Sequence, residues 1–151
     1  MTSCESASKP DASPPSVASE PIFREDGHLT ISRDGEVYAE LAIEIADNDS
    51  TRTRGMMQRT TMPDDSGMLF LFDQERDRAF WMANTPLSLD LIFVDADSTV
   101  TIMKKYMQPL SAREVPSEGP AQFVLEVIAG YSDTKGLIEG DRLSWYRHPQ
   151  E

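Results

Sequence analysis

The chain has 151 residues, 39% of them hydrophobic and 26% charged, which is enough apolar matter for one core of modest size. Fourteen Lys and Arg stand against 26 Asp and Glu, so the formal net charge is −12. A surface that acidic excludes nucleic acid bound through a general basic face, and disfavours anionic lipid surfaces for the same reason. No apolar run approaches the ~18 residues that cross a bilayer as a helix.

Residues 1–20, MTSCESASKPDASPPSVASE, hold almost no large apolar side chain. Burial cannot offset the ordering entropy of such a stretch, and it is expected to be a disordered Ser/Pro-rich tether ahead of a single all-β domain over residues 21–151. Thr2-Ser3-Cys4 resembles the end of a lipobox, where a bacterial lipoprotein signal is cut just before a Cys that is then acylated. No basic n-region or apolar h-region precedes it, so the signal is expected to have been replaced by Met1. On this reading a lipidated Cys4 anchors the domain in the cell envelope or periplasm, and the membrane is touched only through that anchor. The plainer alternative is an arbitrary N-terminus with a chance Cys.

Leu29 and Ile31 alternate with polar residues up to Asp34-Gly35, a dipeptide suited to a tight hairpin. In Glu36–Ile45 the residues Val37, Leu41, Ile43 and Ile45 face one way, and Glu36, Glu40 and Glu44 form a solvated opposite face. Residues 47–62 break that alternation. A short helix is expected over Thr51–Arg59, capped by Asp49 or Ser50, with Gly55 kept for close packing. Strands follow at Met68–Phe72, Arg78–Met82, Leu89–Asp95, Thr99–Tyr106, Phe123–Ile128 and Arg142–Arg147. Asp73–Asp77 reads as a charged turn, and Gln108–Gly119 as a loop. About eight or nine short strands and one short helix predict a compact β-sandwich or barrel-like domain.

The scarce residues narrow the chemistry. Cys4, His28 and His148 are the only soft or imidazole ligands, one short of a closed zinc site, and neither His lies in a nucleophile motif. No metal or cofactor is expected, and no catalytic residue is assigned. Scattered methionines read as packing rather than a copper site, and Asp95/Asp97 and Asp64/Asp65 as solvated turns rather than calcium ligands.

Asp90 shares a strand face with Ile92 and Val94, so its carboxylate needs a partner. Arg54 on the short helix is the natural one. The plain reading is an ion pair that pins the helix to the sheet. The functional reading is a ligand-binding pocket formed by Arg54, Trp81, Asn84, Thr85 and Asp90, with whichever of Phe80 and Trp81 points outward as an aromatic platform. Glu126, mid-strand among apolar neighbours, is a second semi-buried acid. It could join Asp90 as a carboxylate pair if the two approached to about 5–9 Å.

Several blocks are similar to a bacterial and archaeal family known as domain of unknown function 192. They are Arg54-Gly55-Met56-Met57-Gln58-Arg59, Gly67-Met68-Leu69-Phe70, Phe80-Trp81-Met82-Ala83-Asn84-Thr85, Leu89-Asp90-Leu91-Ile92-Phe93, Leu125-Glu126 and Gly140-Asp141. The resemblance implies a compact β-sandwich, often exported or lipid-anchored, and no settled activity. Where the family often carries Lys or Arg, this chain has Ala83. Together these features predict an envelope-tethered binding or accessory module for a small carbohydrate or peptide. The alternatives are a hydrolase using Asp90 and Glu126 with Arg54 tuning charge, and a structural protein-interaction domain. Sequence does not fix the oligomeric state.

Overall fold

The computed structural model describes residues 19–150, so Cys4 and its lipidation lie outside the described residues. Seven strands form one sheet: β1 (Gly27–Arg33), β2 (Glu36–Ala46), β3 (Ser66–Phe80), β4 (Leu89–Val94), β5 (Val100–Met107), β6 (Val115–Ile128) and β7 (Arg142–Arg147). Their spatial order is β5-β4-β6-β3-β2-β1-β7. All neighbours pair antiparallel except β2 and β3. Two short helices complete the fold, α1 (Asp49–Arg54) and α2 (Tyr131–Lys135). The sheet rolls up until its edges meet. Thr99 bridges Arg142, and Val100 and Asp141 are joined by a 2.8 Å backbone hydrogen bond.

The all-β expectation therefore holds, with seven strands rather than eight or nine and a second helix. The count falls because the two apolar runs around residues 68–72 and 78–82 belong to one strand. Asp73–Asp77 is not a turn: β6 begins at Val115 and pairs with β3 through Arg76 and Asp77, with register shifts on either side. The Asp34-Gly35 hairpin forms, with both residues at positive φ. A bulge opposite Ile31 and Ser32 leaves Tyr38 unpaired, and beyond it Val37 turns outward to 54% exposure instead of joining the core.

Alternation gives the sheet two apolar faces. The interior holds Leu29, Ile31, Leu41, Ile43, Ile45, Leu69, Ile92, Val94, Leu125 and Val127 among others. The outer face of β3, β4 and β6 carries a second cluster that includes Met68, Phe70, Leu91, Phe93 and Val124. An exposed patch of that size would be costly. Met56, just after α1, and Met82, after β3, cover it. The segment between β2 and β3 is thus a lid on the outer face.

Asp90 is on the interior side with Ile92 and Val94, and it is fully buried. Its carboxylate does not pair with Arg54. It accepts the backbone N–H groups of Tyr106 at 2.9 Å, Gly130 at 3.2 Å and Ser132 at 3.1 Å. Arg54 lies on the outer side of the sheet, beyond reach. Neither the clamp nor a shared Arg54–Asp90 pocket exists. Backbone donors had satisfied the acid, and such donors leave no trace in side-chain identity. Asp90 is therefore a structural tie among β4, the end of β5 and the start of α2. Asp90→Ala is expected to cost roughly 2–4 kcal/mol by leaving three N–H groups unpaired, measured by urea unfolding. It should leave ligand binding by the folded protein unchanged.

Candidate functional site

The site is built on the outer face, where α1 crosses β3. Asn48, not Asp49 or Ser50, caps α1: its side chain accepts the Thr51 N–H, and the Thr51 hydroxyl oxygen returns the favour to the Asn48 N–H. The helix stops at Gly55, well short of Arg59. Gly55 has φ +46° and ψ −129°, a conformation other residues adopt only under strain. An added Cβ would also lie 3.3 Å from the Phe70 ring. The close approach expected at this glycine is thus real, though its neighbour is an aromatic ring rather than backbone.

Four residues beyond Gly55, Arg59 dives beneath the lid. It donates to both carboxylate oxygens of Glu44, at 2.7 and 2.9 Å, and both side chains are nearly inaccessible. Glu44 was expected on a solvated face; the lid buries that face from Glu44 onward. The neighbouring Arg24 adds a backbone N–H at 3.4 Å to the same carboxylate. Glu20, at the end of the expected tether, accepts the Thr60 and Thr61 N–H groups at 2.5 and 3.2 Å. The hydrogen bonds from Thr60 hold its pKa low.

Between α1 and β3 opens a cavity of about 720 Å3. Phe70, Phe72 and Phe80 line it, with the Phe80 ring edge to face against Phe70 at 5.2 Å and against Phe72 at 6.1 Å between centroids. Phe80 points inward, and Trp81 at the mouth is 54% exposed. Arg52, Arg54, Arg76 and Arg78 surround the opening, with Asp49 and Asp77 the facing acids. Arg78 stacks 3.6 Å from the Phe72 centroid and donates to Ala121 O at 2.8 Å. Burial first, then the nearby Arg76 and Arg52 charges, pulls its pKa below the usual guanidinium value. Two shallower hollows adjoin, one of about 500 Å3 reaching Gln58 and Asn84 and one of about 320 Å3 reaching Asp73 and Gln74. Asp49 borders all three, so they form one groove along α1.

Glu126 lies on the floor. In the register across the sheet it stands between Met68 and Leu91, on the outer face. It is 4% exposed and makes no hydrogen bond to any described residue. Desolvation pushes its pKa up to about 8, against a smaller downward pull from Arg59. At neutral pH the carboxyl is mostly protonated, and so a hydrogen-bond donor facing the cavity.

Of the six ligand residues expected from sequence, Arg54, Trp81, Thr85 and Glu126 line this cavity, and Asn84 borders the adjoining hollow. Asp90 is elsewhere. Because Asp90 pairs in register with Val127 and Glu126 with Leu91, the two carboxyls project from opposite faces, and the proposed catalytic pair is not formed. Arg52, Arg76 and Arg78 were missed. Arg76 sits in the stretch read as a charged turn, and Arg78 at the start of the strand expected after it. No three His, Cys, Asp or Glu side chains gather as a metal site among the described residues.

The family model DUF192, Uncharacterized ACR, matches residues 29–145. The chain belongs to this family. The matched span of DUF192 runs from β1 to β7 and includes the lid, the cavity and Glu126. Two solved structures are similar. One, from Sinorhizobium meliloti, is described as a "putative transcription regulator"; it is 34% identical, with a TM-score of 0.76, over 84% of this chain and 98% of that one. The other, a protein of unknown function from Novosphingobium aromaticivorans, is 30% identical, with a TM-score of 0.74, over 78% of this chain and 84% of that one. No curated protein matches the chain.

Two outcomes follow from the buried polar groups beneath the DUF192 lid. Arg59→Met leaves the Glu44 carboxylate buried with only the long contacts of Arg24, at 3.4 and 4.0 Å, and should cost about 3–5 kcal/mol in denaturant unfolding. Glu126 behaves in the opposite sense to a paired acid. Its folded pKa lies above its ordinary 4.5, so the folded state holds the proton longer and stability is lost as pH rises from about 4.5 through about 8. Glu126→Gln should therefore raise Tm at pH 9 by roughly 5 °C or more, with the gain vanishing near pH 4. Thermal melts of both proteins across that range measure it.

Proposed function

We propose that this DUF192 protein is a binding module whose groove takes a short, apolar peptide segment. The observation that carries this reading is Glu126: a nearly inaccessible carboxyl without a protein partner, on the floor of an aromatic cavity, where burial pushes its pKa up to about 8. A neutral acid in that position offers one hydrogen bond to a carbonyl oxygen while the rings take an apolar side chain. The elongation of the groove along α1 favours an extended chain over a compact ring.

A hydrolase built on Asp90 and Glu126 loses its pair, because Asp90 projects from the opposite face of the sheet. A role in transcription through duplex DNA is disfavoured by the net charge of −12, which repels phosphate. A lipid on Cys4 would hold the groove at an envelope membrane; mass spectrometry of the natural protein tests that, and a free thiol there removes it.

Titration with N-acetyl-alanyl-phenylalanine amide, followed by NMR, tests the binding reading. Saturable shifts should appear at the Gly55 amide and the Trp81 indole. Trp81→Ala should weaken binding about tenfold without lowering Tm, since the ring is half exposed. Absence of saturable shifts at millimolar peptide refutes the reading.

A further inference from the structure

We infer that the natural ligand of this groove is an apolar carboxylate, its carboxylate group received by Arg54 and Arg76. The inference rests on the binding reading above and adds the chemical class of the ligand.

Four guanidinium groups border one cavity, in a chain that as a whole carries twelve more negative than positive charges. The four are not equivalent. Arg52 is tied to Leu71 O at 2.7 Å and to Asp49 at 3.2 Å, and its guanidinium lies 5.3 Å from the Phe72 centroid. Arg78 is tied to Ala121 O and Gln74 O and stacks on the same ring. These two are part of the wall. The guanidinium groups of Arg54 and Arg76 make no hydrogen bond and no ion pair among the described residues, and both residues are exposed at the opening.

The facing acids do not balance this charge. Asp49 is engaged by Arg52, Asp73 and Asp77 supply two further carboxylates, and burial pushes the pKa of Glu126 on the floor up to about 8, so four guanidinium groups face three ionised acids. Like charges held together beside aromatic walls of low polarity repel one another more than they would in bulk water. An anion placed there relieves that repulsion. The planar guanidinium groups suit a carboxylate, whose two oxygens accept parallel N–H donors. The aromatic cavity behind them requires an apolar body on the same molecule, and Glu126 offers its proton to an oxygen of that body. Two sources supply this chemistry, the C-terminal end of a peptide and a free apolar acid.

Calorimetric titrations at low salt with three probes decide the matter: N-acetyl-alanyl-phenylalanine as the free acid, its amide, and 3-phenylpropionate. The free acid should bind at least about tenfold tighter than the amide, with the advantage shrinking in 0.5 M NaCl. In Arg54→Gln/Arg76→Gln the acid should fall to the level of the amide, while amide binding persists and shows that the groove is intact. Lys135→Gln, a charge change at an ion pair with Asp65 outside the groove, should leave the preference unchanged. A preference for the peptide acid over 3-phenylpropionate identifies a chain terminus; equal binding identifies a free acid. Equal affinity for acid and amide, or a preference that survives the double substitution, overturns the inference and leaves the binding reading standing. Tighter binding of phenyl phosphate than of 3-phenylpropionate overturns the carboxylate assignment. If neither acid nor amide binds, the binding reading itself fails.

Discussion

The architecture of the groove depends on one buried ion pair. Glu44 projects from the outer face of β2, and Arg59 grips both of its oxygens from the segment that leaves α1. That grip joins the buried Met56 and the Arg52 hydrogen bond to Leu71 O in holding the 47–65 segment against the sheet. α1 itself is six residues long, far too short to persist alone, and none of its residues is buried. Its position is set by the contacts that follow it: Gly55 against Phe70, Met56 in the outer cluster and Arg59 on Glu44. The wall of the cavity is therefore only as well placed as this pair. A buried pair is a poor source of net stability, because both charges lose their hydration. What it supplies here is position.

Much of the fold is legible in sequence because strand alternation is a local signal. The Asp34-Gly35 turn, the inward set Leu41, Ile43 and Ile45, and the shared face of Asp90, Ile92 and Val94 all follow from a period of two. What alternation cannot report is which faces a distant segment covers. Glu44 looks solvated in its strand and becomes buried only when Arg59 arrives from 15 residues away. Asp73–Asp77 looks like a turn because its residues are charged, yet pairing with β6 extends the strand through it. Charge on a strand that stands at the rim of a cavity is compatible with either structure.

The same reasoning explains the partial reading of the site. Arg54, Trp81, Thr85 and Glu126 belong together because they flank the lid and the outer face. Asp90 was grouped with them on the assumption that a buried carboxylate needs a cationic side chain. Three backbone N–H groups serve equally well, and these are contributed by every residue alike. The two acids of the central strands thus illustrate opposite solutions to burial. Asp90 is surrounded by donors; Glu126, on the opposite face of the neighbouring strand, has none, and burial raises its pKa instead.

The parallel pairing of β2 with β3 has an evolutionary reach beyond the barrel it helps to build. Parallel neighbours cannot be joined by a tight turn, so the chain must travel back along the sheet before it re-enters. Here that obligatory return journey, residues 47–65, is also the stretch that shapes one wall of the groove. Apart from Gly55, Met56 and Arg59, which fasten it to the sheet, its residues can vary while the hydrogen-bond ladders on either side remain intact. Changes in the wall of the cavity are thereby partly separated from changes that threaten folding.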